Sequence, residues 1–291
     1  MIVLAVVIAA GVVTWNRRGA GSAGATSATT TTGFYLAVGA SSSLGFQPTG
    51  IVGHNGARTD TGYANDVVTM AAQRGVDLAL RQIGCPGETT YSMLHTGDHC
   101  YTGSGTQRNA ASIFLAAHHD QAGLVTIDLG FNDIRTCLWR AEPDLACFTT
   151  GLAQVRANLP GVLHLLESEA GPATHFVGLL YADPFLADYV KPTSTAAAAD
   201  QTRQLVLQLD TVLTSIYTAA NIPVANVPGA FRLDNQDATV WNQRPVPVNV
   251  LYACSWTWMC RTPPWGPDDH PNNAGYRAIA NAIMVAVPLN F

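Results

Sequence analysis

The sequence predicts an α/β protein, a three-layer α/β/α sandwich around a central, mostly five-stranded parallel sheet. The main observation is a regular alternation between short apolar runs and longer stretches in which apolar residues recur at helical spacing. Such alternation favours parallel strands joined by helices that cover both faces of the sheet. The composition agrees, because 48% of the 291 residues are hydrophobic and 12% are charged, which is sufficient for one large core.

Each element follows from its own pattern. Apolar runs of strand length predict buried strands at 34–39, 79–84, 124–130, 176–182 and 223–229. Helical spacing predicts helices at 64–74, 110–119, 149–169, 198–221 and 274–287. Two connections, 45–63 and 234–267, are rich in Gly, Pro and Trp and are longer than a compact domain requires, so we expect them to shape a site rather than the core.

The N-terminal region differs from the rest of the chain. Residues 2–13 are almost all apolar, Arg17 and Arg18 follow, and 19–32 are small and polar. This pattern predicts a signal or membrane-anchor segment over 1–18, a flexible linker over 19–32 and one domain over 33–291. The apolar run is shorter than the roughly 20 residues that span a bilayer, so both cleavage and retention as a membrane tether stay open. Either case predicts a secreted or extracytoplasmic protein.

Six cysteines favour the same location, because disulfides persist in oxidising compartments. Six cysteines allow fifteen connectivities, and nearest-neighbour pairing is the simplest of them. The sequence has no Cys-x-x-Cys or paired Cys/His spacing and no Gly-rich phosphate loop, so we predict neither a metal nor a cofactor. The neighbouring pairs are Cys85 with Cys100, Cys137 with Cys147, and Cys254 with Cys260.

The charge pattern argues against nucleic acid as a partner. The net charge of −5 is spread along the chain, and no run of Lys or Arg interleaved with aromatics is present that would neutralise a phosphate backbone. We also expect a monomer. Partners are therefore expected among small molecules or among lipid and polysaccharide substrates.

Polar residues follow the predicted strands where a parallel sheet gathers its functional groups. Ser41 follows the first strand, but a serine hydroxyl is a poor nucleophile until a base removes its proton. His270, directly before the last predicted helix, is the candidate base. The segment 85–90 follows the second strand and the segment 130–133 follows the third, and the small and polar residues of both suit an oxyanion hole whose donors point at a developing negative oxygen.

Four segments, in chain order, resemble the four sequence blocks of the SGNH, or GDSL-like, hydrolases. They are GASSSLG at Ser41, CPGETT at Gly87, GFND at Asn132, and DDHP at His270, which continues as HPNNAGY into the last helix. The resemblance extends from Phe34 onward and implies a flavodoxin-like SGNH fold and ester hydrolysis without a cofactor. It implies that Ser41 is the nucleophile and His270 the general base. The oxyanion hole would comprise the N–H groups of Ser41 and Gly87 and the side chain of Asn132.

Two positions depart from the family pattern. Ala40 stands where the family usually has Asp, next to the nucleophile. Pro267 stands three residues before His270, where the orienting carboxylate is usual, so Asp268 or Asp269 serves instead or the triad is reduced to a dyad. We favour Asp268, because a carboxylate two residues before the histidine can fold back through the Gly266-Pro267 turn.

The sequence leaves the substrate open. An esterase or lipase acting on carboxylic esters is the first hypothesis. A carbohydrate acetyl esterase is the alternative, in which Trp256, Trp258 and Trp265 would form a substrate wall, although loop packing around a disulfide explains them equally well. A catalytically silent envelope binding module of the same fold is the hypothesis outside the enzyme class.

Overall fold

The computed structural model describes residues 31–52, 56–95, 100–101, 105–192 and 194–287. The predicted signal or anchor segment 1–18 and the predicted linker up to residue 30 lie outside this part of the chain. Among the helices that the structure describes, none combines the length and the apolar character needed to cross a bilayer.

Five parallel strands form the central sheet, in the order β2-β1-β3-β4-β5. This is the flavodoxin-like strand order, in which ligands bind where the order reverses between β1 and β3. The predicted fold class is confirmed. The strands are β1 (Thr31–Gly39), β2 (Val76–Gln82), β3 (Gly123–Asp128), β4 (Thr174–Leu179) and β5 (Val224–Ala225).

The five predicted helices are confirmed to within a few residues at each end, and four short helices accompany them within the described ranges. The long helices are α1 (Tyr63–Ala72), α3 (Gln107–Ala117), α5 (Leu145–Glu169), α6 (Ala196–Ala219) and α9 (Asn273–Ala286). The short ones are α2 (Thr90–Leu94), α4 (Phe131–Leu138), α7 (Val227–Ala230) and α8 (Val248–Trp256).

The sheet separates two hydrophobic cores, as the alternation of side chains along β1 shows. Phe34, Leu36 and Val38 point to the face covered by α3, α5 and α6, whereas Tyr35 and Ala37 point to the face covered by α1 and α9. All five side chains are at most 2% exposed. Because strand side chains alternate between faces, a strand buried on both sides is apolar throughout, which is why the sequence shows a continuous run there.

The stretch 234–267 is not the irregular loop that its composition predicted. It contains an antiparallel hairpin, β6 (Ala238–Trp241) with β7 (Arg244–Pro247), followed by α8. Asn242 and Gln243, the two residues of the turn, both have positive φ, as a tight two-residue hairpin turn requires. Val250 and Ala253 of α8 are buried in the larger core, so this stretch contributes to packing as well as to the site.

The last strand is shorter than predicted. The apolar run 223–229 forms a strand only over Val224–Ala225, and α7 follows. Asn226 caps this helix, since its side chain accepts from the Gly229 N–H. Pro228 has no N–H and could not continue the sheet ladder.

Three disulfides pair the cysteines as nearest neighbours. The first, Cys85–Cys100, follows β2; the second, Cys137–Cys147, joins α4 to α5; the third, Cys254–Cys260, joins α8 to the segment after it. Each bridge therefore closes a short loop on the chain.

Candidate active site

The candidate nucleophile Ser41 begins a short 3-10 helix, Ser41–Leu44, just after β1. The turn requires glycine at position 39, because φ is +141° there and a Cβ atom would lie 2.3 Å from the backbone oxygen of Asp128. The buried side chain of Gln107 holds this glycine: Oε1 accepts from the Gly39 N–H at 2.7 Å, and the amide donates to the Gly39 carbonyl at 2.8 Å. Ser41 is thus placed by a well-fixed turn at the carboxyl end of β1.

Ser41, His270 and Asp268 form a hydrogen-bonded chain. Oγ of Ser41 lies 2.7 Å from Nε2 of His270, and Nδ1 of His270 lies 2.8 Å from Oδ1 of Asp268. The backbone N–H of His270 donates to the same carboxylate oxygen at 2.9 Å. A carboxylate at Nδ1 favours the tautomer with its proton on that nitrogen, which leaves Nε2 able to accept the serine proton. Of the two carboxylates that the sequence left open, Asp268 is the one bonded to the ring.

The end of α8 holds the loop that carries His270. The backbone N–H of Trp258 donates to the carbonyl of His270 at 3.1 Å, and Thr257 forms an isolated antiparallel bridge with Pro271. The third disulfide closes the same segment. The imidazole is therefore positioned by backbone contacts on one side and by Asp268 on the other.

The surroundings of His270 make its imidazole more basic than that of a free histidine. Burial lowers the pKa of His270, but the hydrogen bond with Asp268 and the charge of Asp269 outweigh burial and leave the pKa above its ordinary value. Burial raises the pKa of Asp268, but the hydrogen bond with His270 outweighs it and leaves that pKa below its ordinary value. Near neutral pH the site therefore pairs an ionised carboxylate with a strengthened base.

The two segments expected to donate to an oxyanion contact each other. Gly87 has a φ of +82° in a tight turn that the Glu88 N–H closes by donating to the Cys85 carbonyl at 3.0 Å. Asn132, in the first turn of α4, donates from Nδ2 to the carbonyl of Glu88 at 3.0 Å. The structure thus brings the Asn132 side chain to the residue that follows Gly87.

Carboxylates next to these donors hold the loops in place. Asp133 accepts from the backbone N–H of Thr90 at 3.0 Å and from its hydroxyl at 2.6 Å. Burial raises the pKa of Asp133 to about 6, although both bonds to Thr90 oppose the shift. The Glu88 carboxylate accepts from the Gln107 amide at 2.8 Å. Gln107 therefore joins the turn at Ser41 to the loop that carries Gly87.

An ion pair closes the opposite side of the site. Arg135 on α4 binds both oxygens of Asp269, with Nε 2.5 Å from Oδ2 and Nη2 2.8 Å from Oδ1. Asp268, Asp269 and His270 also form a group with potential metal-ligand atoms within 4.8 Å of one another. The protein already engages each member, since the Arg135 guanidinium occupies Asp269 and Ser41 and Asp268 occupy the His270 ring.

A cleft opens at Ser41 and His270, and both residues line it. Its polar lining includes Asn132 and Arg135. The rest is mainly apolar, and its aromatic side contains Phe131 and Tyr181, whose rings stack with centroids 5.2 Å apart. Further apolar lining comes from Leu180, Pro184, Val227 and Phe231.

The three tryptophans expected to form a substrate wall lie outside the lining of this cleft. Trp258 stacks on Trp265 with ring centroids 5.6 Å apart, and Trp265 is 45% exposed. Trp256 packs edge-on against Phe231, 5.1 Å between centroids, and so stands behind the cleft surface. The expected wall is replaced in the cleft by Phe131, Tyr181 and Phe231, because the tryptophans pack within the loop around the third disulfide.

Sequence reasoning missed Gln107 and Arg135 as parts of the site, and it considered Asp269 only as an alternative partner of His270, not as the partner of Arg135. The contacts of Gln107 with Gly39 span 68 residues, and that of Arg135 with Asp269 spans 134. No local motif marks contacts over such distances. One signal was available for Arg135: it follows Asn132 by three residues, so a helix there places both side chains on the same face.

Neither a protein-family model nor a curated protein matches this chain. Solved structures do match it over most of its length. Phospholipase A1 from Streptomyces albidoflavus is 17% identical with a TM-score of 0.55, and the match covers 88% of this chain and 99% of that one.

Two other solved structures match to a similar degree. A GDSL-like lipase from Parabacteroides merdae is 16% identical with a TM-score of 0.50, covering 87% of this chain and 94% of that one. A variant of an acetyl xylan esterase from Geobacillus stearothermophilus is 17% identical with a TM-score of 0.51, again covering 87% and 94%. Together with the strand order, these matches show that the chain has the fold of the SGNH, or GDSL-like, hydrolases.

Proposed function

We propose that the protein is a serine ester hydrolase in which Ser41 is the nucleophile, His270 the general base and Asp268 the orienting acid. The observation that carries the proposal is the continuous chain from Oγ of Ser41 through both ring nitrogens of His270 to Oδ1 of Asp268, with links of 2.7 and 2.8 Å. A serine that only capped a turn would not need a buried, charge-stabilised imidazole on its hydroxyl. This geometry also argues against a catalytically silent module.

The reaction divides into two acyl transfers. His270 takes the proton of Ser41 through Nε2 as Oγ attacks the ester carbonyl, and the imidazolium then protonates the departing alcohol. Water, activated by the same nitrogen, releases the acyl group and restores the serine. Asp268 stays ionised throughout and stabilises the imidazolium.

The oxyanion of each tetrahedral intermediate needs preorganised donors. We assign this role to the backbone N–H groups of Ser41 and Gly87 and to the side-chain amide of Asn132. In the free protein Nδ2 of Asn132 donates one hydrogen to the Glu88 carbonyl, and the amide has a second hydrogen for the substrate. The bond to Glu88 then orients the amide.

The cleft supports carboxylic esters with an apolar acyl group as substrates. Its surface beside Ser41 is mainly hydrocarbon and aromatic, which favours burial of a chain longer than acetyl. A carbohydrate acetyl esterase is the second candidate, supported by the fold shared with the Geobacillus enzyme. The three disulfides favour an oxidising, extracytoplasmic compartment.

Initial rates on p-nitrophenyl esters from acetate to palmitate, together with labelling by a fluorophosphonate, test the proposal on the full-length protein. Ser41→Ala should lower kcat by roughly 10⁶ and abolish labelling, because the acyl-enzyme can no longer form on this residue. The adjacent Ser42→Ala is the matched control and should keep the label.

Equal labelling of the parent protein and Ser41→Ala would contradict the assignment of the nucleophile. If the parent protein neither hydrolyses the esters nor reacts with the fluorophosphonate, the catalytically silent binding module would be favoured. An optimum at acetate would favour the carbohydrate esterase, and an optimum at longer chains would favour the esterase or lipase.

A further inference from the structure

Arg135 connects the two parts of the site. It lies on α4 one turn after Asn132, and its guanidinium binds Asp269, the residue before His270, through two parallel hydrogen bonds of 2.5 and 2.8 Å. The Asp269 side chain is 5% exposed and that of Arg135 is 33% exposed, so solvent screens the pair only partly. The guanidinium also lies over the ring of Trp139, 4.7 Å from its centroid, which limits its movement.

Asp269 competes with Asp268 for the same ring nitrogen. Oδ1 of Asp268 lies 2.8 Å from Nδ1 of His270, and Oδ1 of Asp269 lies 3.9 Å from it. A small rotation of an unpaired Asp269 would bring it into hydrogen-bond range and turn the imidazole away from Ser41. Arg135 prevents this rotation, since both oxygens of Asp269 are bonded to the guanidinium.

We propose that Arg135 is a positioning residue: by holding both oxygens of Asp269 on α4, it leaves Asp268 as the single carboxylate that orients His270. This inference rests on the proposed function of His270 as the base. It adds a role for a residue outside the four sequence blocks, and it explains how two adjacent carboxylates coexist beside one imidazole. The same ion pair ties the His270 loop to the helix that carries Asn132.

The charges around His270 determine the direction in which removal of each charge shifts the pKa of this residue. Asp268 and Asp269, from its own loop, raise the pKa of His270, and Arg135 from α4 lowers it. Asp128, at the end of β3, also interacts electrostatically with His270, and burial raises the pKa of Asp128 to about 6. Without Arg135, the negative charge of Asp269 is uncompensated, which raises the pKa of His270. Without the charge of Asp269, the positive charge of Arg135 is uncompensated, which lowers the pKa of His270.

The test is an NMR titration of the His270 ring in full-length protein with ¹³C-labelled histidine, assigned by comparison with His270→Ala. We expect Arg135→Gln to raise the titration midpoint by about one pH unit and Asp269→Asn to lower it by a similar amount. The double variant should return the midpoint close to that of the parent. Arg140→Gln, an exposed arginine just after α4, is the matched control and should leave it unchanged.

Activity supplies a second readout. The acid limb of kcat/KM should follow the midpoint in each variant, and Arg135→Gln should lower kcat more than it changes KM, because the misoriented base affects the chemical step. Unchanged midpoints, or midpoints that move in the same direction in both single variants, would overturn the inference. If Arg135→Gln does not fold, the inference is tested by Asp269→Asn alone. The titration midpoint of His270 must then fall in that variant.

The two proposals fail separately, because the titration needs no substrate. One outcome is that the His270 midpoint shifts in opposite directions in the two single variants although the parent protein neither hydrolyses esters nor reacts with the fluorophosphonate. That result would retain the role of Arg135 and reject the hydrolase. Turnover with unshifted midpoints would retain the hydrolase and reject the role of Arg135.

Discussion

Asp268 receives two hydrogen bonds from His270, one from the ring and one from the backbone N–H. Together the two hydrogen bonds close a small ring of atoms, which fixes the orientation of both the imidazole and the carboxylate. A carboxylate held by its neighbour in this way can orient the base without the usual acid three residues earlier, where this chain has Pro267. In the proposed mechanism, Asp268 takes the place of the carboxylate that the family pattern has three residues before the histidine.

Asp268→Asn should lower kcat on the order of 10²- to 10⁴-fold, because an amide at Nδ1 no longer stabilises the imidazolium or selects its tautomer. The pKa of His270 should fall, since Asp268 raises it, and the acid limb of the kcat profile should move to lower pH. Measurement of kcat from pH 5 to 9 checks both effects. Asp120→Asn, at a fully exposed acid, is the control, and an unchanged profile in Asp268→Asn would favour a Ser41–His270 dyad.

Residues within local motifs were predictable, whereas residues acting through distant contacts were not. Ser41, Gly87, Asn132 and His270 each lie in a short block whose neighbours identify it, and the structure brings all four segments to one edge of the sheet. Gln107 lies in no such block, because its partners are defined only once the chain has folded.

At the scale of elements, α3 contributes to the site through its first residue. Thr106 caps the helix by accepting from the Asn109 N–H, which places Gln107 in the first turn, with its side chain against Gly39. The same side chain reaches Glu88 beside Gly87. One helix start thus sets the relative position of two loops that follow different strands.

Gln107→Leu should destabilise the fold by about 1 to 3 kcal/mol, because the buried Gly39 N–H loses its acceptor. It should also lower kcat, since the Ser41 turn loses its support. Chemical denaturation and ester turnover measure the two effects. Arg108→Ala, at the exposed next residue, should change neither, and a fully active, fully stable Gln107→Leu would refute this account of the turn.

Element length decided which elements the sequence could predict. The five long helices have at least two turns of apolar periodicity, and the three inner strands, β1, β3 and β4, have continuous apolar runs. α4 and α7 are too short for a clear period, and α7 interrupts a run that reads as strand. The β6–β7 hairpin and α8 were not predicted because Pro245 and Pro247 interrupt the apolar residues of their stretch, as in a loop.

At the scale of the whole molecule, the three disulfides surround the site. The first follows β2 and adjoins Gly87, the second anchors the end of α4, and the third closes the segment against the His270 loop. None connects the two hydrophobic cores. The bridges therefore close loops at the carboxyl edge of the sheet, and Cys137 and Cys254 connect two of these loops to the larger core in which they are buried.

Replacing the second bridge, by Cys137→Ala with Cys147→Ala, should cost roughly 2 to 3 kcal/mol for its loop and lower Tm by about 5 to 10 °C. Activity should fall at temperatures where far-UV circular dichroism remains native, because α4 carries both Asn132 and Arg135. The parent protein treated with a thiol reductant should behave similarly. Loss of helix signal before loss of activity would show that the bridge supports the core instead.

The contact between Ser41 and His270 joins positions 229 residues apart in the chain. During synthesis the serine therefore emerges from the ribosome long before the histidine. A chain truncated before His270 would lack the proposed base. In the proposed mechanism, ester hydrolysis therefore requires residues from both ends of the described domain.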